Sequence, residues 1–163
     1  MNVSTSTTLS SLVREECERQ RDLWFKKYAI QGTLIPAVIE DGEIQIPDIY
    51  MHEFSAVVSG CQDPPSNIEY IGRNGCNTTF WNEELVSACM LKLKGQIGEK
   101  SSVTGCKNVI GHCAEQHAAN SVMNDLNKGG ISRDVAQLAF SKAFRPRTMK
   151  TIDYCANCET LFT

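Results

Sequence analysis

The chain has 163 residues, 42% of them apolar, enough to bury the core of one ordinary domain and too few for two. Sixteen Lys and Arg against nineteen Asp and Glu leave a formal charge of -3, which excludes a global electrostatic attraction to nucleic acid or anionic membrane. No run reaches the ~18 apolar residues that would span a bilayer, and the first residues have neither the basic nor the apolar region of a signal peptide, so a cytoplasmic protein with no membrane partner is expected.

The first ten residues, rich in Ser and Thr, predict a disordered N-terminus (1–10) ahead of a single domain (11–163). Over 11–28, Val13, Cys17, Trp24 and Tyr28 recur at helical spacing and predict an amphipathic helix ended near Gly32. Residues 34–39 and 43–46 flank Asp41-Gly42, a dipeptide suited to a tight hairpin turn, and 54–58 reads as a further strand closed by Ser59-Gly60. Pro64-Pro65, two glycines and several Asn make 62–79 a long loop. Asn82 then caps a helix with Glu83 and Glu84 in its first turn. Its predicted buried face is Leu85, Val86, Cys89, Met90 and Leu93, and its end is Lys92, Lys94 and Gly95. After a second loop, Ala118, Ala119, Val122, Met123 and Leu126 form one apolar stripe, stopped by Lys128-Gly129-Gly130. Residues 132–144 predict another helix ended by Arg145-Pro146, and 148–153 a short strand leading directly to Cys155.

Eight cysteines without a signal peptide point to buried thiols, metal ligands or catalysis before disulfides. Cys17, Cys61, Cys76, Cys89 and Cys106 stand alone and are assigned no chemistry. The other three fall in two motifs: Cys113-Ala114-Glu115 at the start of the striped helix, and Cys155-Ala156-Asn157-Cys158 near the end. Two thiolates at i and i+3 in a helix's first turn share a face and can bind one Zn²⁺ at about 2.3 Å each. Cys113 can supply a third sulfur, leaving the fourth tetrahedral position for water. Two helix N-termini would offset the negative charge of three thiolates, and Glu115, two residues past a ligand, can reach such a water and carry protons. A closed site with His117 as fourth ligand is the structural competitor, since His117 lies at i+4 from Cys113. His112 reads as a loop residue near the pocket, and His52 has no partner motif. The Cys155 pair stands too close to the C-terminus for a thioredoxin-like fold.

The C-x-E and C-x-x-C pair is similar to that of the cytidine-deaminase-like enzymes in their all-cysteine form. Val57-Val58-Ser59-Gly60, Cys-Ala-Glu and the Cys-x-Asn-Cys ending more narrowly resemble the YwqJ-like deaminases, over residues 33–163. The resemblance implies an α/β fold: a small mixed sheet of about three or four strands, shortened at the C-terminus, with the two metal-bearing helices side by side beneath the pocket. It also implies zinc-dependent hydrolytic deamination of a nucleobase, cytosine-type ahead of adenine-type, with Glu115 moving protons. Ser59 and the backbone near Ala114 are its expected pocket groups. Arg145 and Arg147, in the basic run Lys142 to Lys150 with Phe140 and Phe144 interleaved, read either as holding phosphates of single-stranded or duplex DNA or of RNA, or as a solvated turn with Phe140 and Phe144 in the core. A free nucleoside, or a zinc-stabilised module without turnover, are the alternatives, and a toxin would imply an immunity protein as partner. Tyr154 departs from the Pro that many superfamily members have before the first Cys of the pair, and with no toxin-delivery module in the sequence ahead of the domain, secretion as a toxin is not expected.

Overall fold

A computed structural model describes residues 2–3, 7–30, 38–40, 43–45, 56–75, 78 and 80–163. In chain order these form β1 (Asn2–Val3), α1 (Thr7–Ile30), the antiparallel hairpin β2 (Val38–Glu40) and β3 (Glu43–Gln45), β4 (Val58–Asp63), β5 (Ile68–Arg73) and α2 (Glu83–Ala88). Then come α3 (Ala114–Lys128), β6 (Ala139–Phe140), β7 (Ala143–Phe144), β8 (Thr151–Ile152) and α4 (Ala156–Leu161). β2 and β3 pair as expected of a hairpin, with Glu40 opposite Glu43, and Asp41-Gly42 lie outside the described residues. Residues 34–37, Phe54, His52 and Cys76 lie outside the described residues. Among the described residues no helix is long and apolar enough to cross a membrane.

The architecture is mixed α/β around one small open sheet, whose centre is β4. On one side β4 pairs antiparallel with β5 over its whole length, Val58 opposite Arg73 and Asp63 opposite Ile68. On its other side β6 and β7 act as one interrupted strand. Cys61 faces Phe140 and Val58 faces Phe144, so two β4 residues between these pairs oppose three in the partner, a bulge at Ser141-Lys142. The bulge is stitched by Ser141 N donating to Gly60 O at 3.0 Å and by Gly60 N donating to Ser141 Oγ at 2.9 Å. Beyond it lie β1, parallel to β6, and β8, antiparallel to β7.

Helices cover both faces of the sheet. Leu9, Val13 and Cys17 of α1 are fully buried on one face, with Val58 and Ile71. On the other, α3 lies across β4 and β5, its stripe of Ala118, Ala119, Val122, Met123 and Leu126 buried with Cys61 and Phe140. Two glycines set these distances. A Cβ on Gly60 would come 2.6 Å from Leu9 Cδ1, and one on Gly72 would strike the backbone of α3.

Four local expectations are corrected. The helix begins at Thr7 and Leu9 is fully buried where the composition predicts disorder, because a single leucine seated over Gly60 gives the segment something to bury. Gly60 is not a strand end but a point of close approach, so β4 runs on to Asp63. The presumed loop 62–79 contains β5, reached through a tight turn. Asp63 Oδ2 accepts from Ser66 Oγ at 2.7 Å and Ser66 N at 3.2 Å there, and Asn67 takes φ 58°. Finally, 132–144 is not a helix but one 3-10 turn (Val135–Gln137) followed by β6 and β7. Leu138, Ala139, Phe140 and Ala143 are all buried, and an apolar run as short as 138–140 satisfies a central strand as well as a helix.

Helix α2 starts as expected, Asn82 Oδ1 accepting from Glu84 N and Leu85 N. Its continuation, Cys89–Leu93, widens into a π-helical turn that keeps Leu93 buried and turns Met90, expected inside, to solvent with 51% of its surface exposed.

Candidate metal and substrate site

Cys113 and Cys155 are the N-cap residues of α3 and α4, both in extended backbone conformation, and the two helices meet at these ends. Cys113 Sγ lies 3.3 Å from Cys155 Sγ, and with Cys158 Sγ all three sulfurs fall within 4.8 Å of one another. An ion bound tetrahedrally at 2.3 Å would hold its sulfurs about 3.8 Å apart, so small shifts of side chains accommodate one. Glu115, 4% exposed on the first turn of α3, places Oε2 3.5 Å from Cys158 Sγ.

The electrostatics of this cluster call for a cation. Hydrogen bonds from Cys113 and then Cys158 hold the Cys155 thiol far below its ordinary range. The hydrogen bond to Cys155, with burial, pushes Cys113 up against the opposing bond to Cys158, and hydrogen bonds to Cys113 and Cys155, with burial, push Cys158 up. Burial also raises the Glu115 carboxyl, with the charge of Cys155 acting in the same direction. Three sulfurs and a carboxylate in contact cannot all be anionic without a positive partner, and a bound metal ion is the group that would let them.

The turn bearing Cys155 and Cys158 is fixed from several sides. Tyr154 donates its hydroxyl to Ser141 O at 2.5 Å, tying the turn to the strand bulge. Asn157, fully buried between the two cysteines, accepts from Thr104 Oγ1 and donates to Asn108 O at 3.0 Å. Lys92 Nζ caps the end of α4, donating to Leu161 O at 3.0 Å and Thr163 O at 2.7 Å. The carrier of two sulfurs is thereby locked to the sheet, to the loop before α3 and to the π-helical turn.

A cavity of about 700 Å³ opens over the cluster. Cys113, Ala114, Glu115 and Cys155 form part of its lining, and Arg145 stands on its wall. Two expected pocket residues lie elsewhere. Ser59 pairs with Gly72 in the sheet and is fully buried outside the cavity lining, and Arg147 is half-buried in the β7 to β8 turn, also outside it. Phe140 is in the core, its ring 4.5 Å from that of Phe162, and the partly buried Phe144 packs on the cluster beneath α1, so neither lines the cavity. His112 lines the cavity as expected. Asn74, Lys107, Asn108 and Asp153 join it without any motif in the sequence that marked them, because three separate loops bring them together.

His117 takes no part in the metal group. Its Nδ1 shares a hydrogen bond of 2.7 Å with Thr78 Oγ1, and its ring packs on Trp81 with centroids 5.3 Å apart. Comparison with models of known protein families, with curated proteins and with solved structures finds no match.

Proposed function

We propose that this chain is a zinc-dependent hydrolase that deaminates a nucleobase, cytosine-type in preference to adenine-type, with the base carried in nucleic acid. The observation that carries the reading is the placement of Glu115: a buried carboxylate touching the three-sulfur cluster at the floor of a cavity open to solvent. A structural zinc site has no use for such a group. Cys113, Cys155 and Cys158 would hold the ion, whose all-sulfur donor set suits Zn²⁺, and it would supply Lewis acidity that activates water at the cavity floor.

The overall change is replacement of an exocyclic amine by a carbonyl: water adds at the carbon bearing the amino group, the C–N bond breaks and ammonia leaves. Glu115 would take one proton from the attacking water and deliver it to the ring nitrogen, then carry the proton of the newly added hydroxyl to the departing amine as the carbonyl forms. The backbone at Ala114 lines the cavity beside Glu115 and can orient the edge of the base. A cytoplasmic setting fits a nucleic-acid substrate. A neutralising immunity protein is expected if the activity proves toxic to the cell that makes it.

Metal content and turnover test the reading together. The purified protein should contain one zinc per chain, and Cys113→Ser, Cys155→Ser and Cys158→Ser should each lose it. Glu115→Ala should retain zinc and lose turnover by at least about 10²-fold on single-stranded DNA or RNA containing cytosine. Zinc retained in a wild type inert on polynucleotide, cytidine and adenosine alike would leave a zinc-stabilised binding module instead.

A further inference from the structure

The mouth of the Glu115 cavity carries two cations that the rest of the molecule leaves unused. Lys107 comes from the loop before α3 and Arg145 from the end of β7, 38 positions later in the sequence, yet both line the same cavity and both are exposed. Elsewhere Arg14 pairs with Glu18, Arg19 and Arg73 with Glu16, Lys128 with Asp125 and Arg133 with Asp63, while the exposed Lys94, Lys100 and Lys142, outside this cavity, have no ion pair among the described residues. Among the described residues neither Lys107 nor Arg145 has an ion-pair partner, Asp153 on the same cavity included. Two unpaired cations thus share a cavity with the carboxylates Asp153 and Glu115, on a chain whose net charge is -3. At about 700 Å³ the cavity also exceeds what a lone pyrimidine ring would fill.

We infer that Lys107 and Arg145 form a phosphate subsite at the cavity mouth, so that the ligand is a phosphorylated nucleotide unit and the free nucleoside is discriminated against. The inference rests on the deaminase reading for the identity of the base. The phosphate binding itself does not depend on turnover. A guanidinium offers a planar fork to phosphate oxygens and a lysine a movable point charge, a combination that grips a phosphate without reading its base. Global repulsion by an acidic chain makes such a local pair the means by which a polyanion is admitted.

Binding measured by calorimetry on the zinc-loaded full chain tests this with three named ligands: cytidine, cytidine 5′-monophosphate and an eight-residue oligodeoxycytidylate. At least one phosphorylated ligand should bind tenfold or more tightly than cytidine. Lys107→Ala with Arg145→Ala should remove that advantage, while Lys142→Ala, exposed and outside the cavity lining, should keep it. The affinity for the oligonucleotide should fall with salt, and the double variant should reduce the slope of log Kd against log salt by about 1 to 2. Comparable tight binding of the monophosphate identifies a mononucleotide substrate, and preference for the oligonucleotide a polymer; both support the subsite. Equal binding of cytidine and the phosphorylated ligands, no binding of any of them, or an unchanged double variant overturns it. The comparison of ligands on the wild type needs no variant to fold. In Glu115→Ala the preference for phosphorylated ligands over cytidine should persist whatever the change in affinity for the base, so that failure of the subsite is separable from failure of the proposed reaction.

Discussion

Gly72 and Ala114 meet with no room for a side chain between them: a Cβ on Gly72 would lie 1.9 Å from the Ala114 carbonyl oxygen and 2.5 Å from Ala118 N. This contact sets the height of the first turn of α3 above the sheet, and with it the positions of Cys113 and Glu115. Both obstacles are backbone, so no side chain can swing away. Gly72→Ala should cost about 3 kcal/mol and lower the melting temperature by roughly 10 °C, measured by thermal unfolding of the metal-loaded protein. An unchanged melting temperature would show that α3 can ride higher on the sheet.

His117 has the right spacing to close the metal site and the wrong partners. With Nδ1 engaged by Thr78 and the ring against Trp81, His117→Gln should leave zinc content at one per chain. It should cost about 1 to 2 kcal/mol through the lost hydrogen bond and ring packing, read from the denaturant midpoint. Loss of zinc in this variant would make His117 a fourth ligand and remove the place for water.

Asp63 is fully buried and is held by Arg133, whose Nε lies 2.7 Å from Oδ1 and whose second nitrogen lies 3.2 Å from Oδ2. Truncating the arginine strands a buried charge. Arg133→Met should therefore destabilise by about 3 kcal/mol or more, whereas Arg133→Met combined with Asp63→Asn should recover part of the loss. Chemical denaturation of the two variants checks the order, and a double variant no better than the single would refute it.

The lone thiols divide by burial. Cys17 and Cys89 are pushed up from the ordinary 9.0 to about 12, both first by burial and Cys17 also by the charges of Glu16 and Glu18. Because their folded values are raised, the stability they contribute is fully present below pH 9 and is lost as pH climbs toward 12. Alkylation of the metal-loaded protein at pH 8 followed by mass spectrometry should find the partly exposed Cys106 modified long before either. Early modification of Cys17 or Cys89 would mean that the helices carrying them open readily.

Much of the site was legible because its chemistry is local. A carboxylate two residues past one cysteine and a pair of cysteines three apart are statements about single helix turns, and α3 and α4 do begin at Cys113 and Cys155. The capped start of α2 and the stripe of α3 were equally local, set by Asn82 and by the 3.6-residue period. The sequence was misleading where one pattern serves two structures. Gly60 looks the same as a strand end or as a seat for Leu9, and the buried run at 138–141 looks the same as helix or strand until the sheet claims it.

From the order of amino acids alone followed the three sulfurs, the carboxylate beside them and the helices that present them, since each needs only backbone geometry over a few residues. Only the tertiary structure decided that the sulfurs converge from chain segments 42 positions apart, that His117 turns to Thr78, and that Lys107 and Arg145 share a cavity which Ser59 and Arg147 do not line. The reason is physical: those outcomes depend on how helices seat on the sheet at Gly60 and Gly72 and on how the strand bulges at Ser141. Such long-range packing has no counterpart in local spacing.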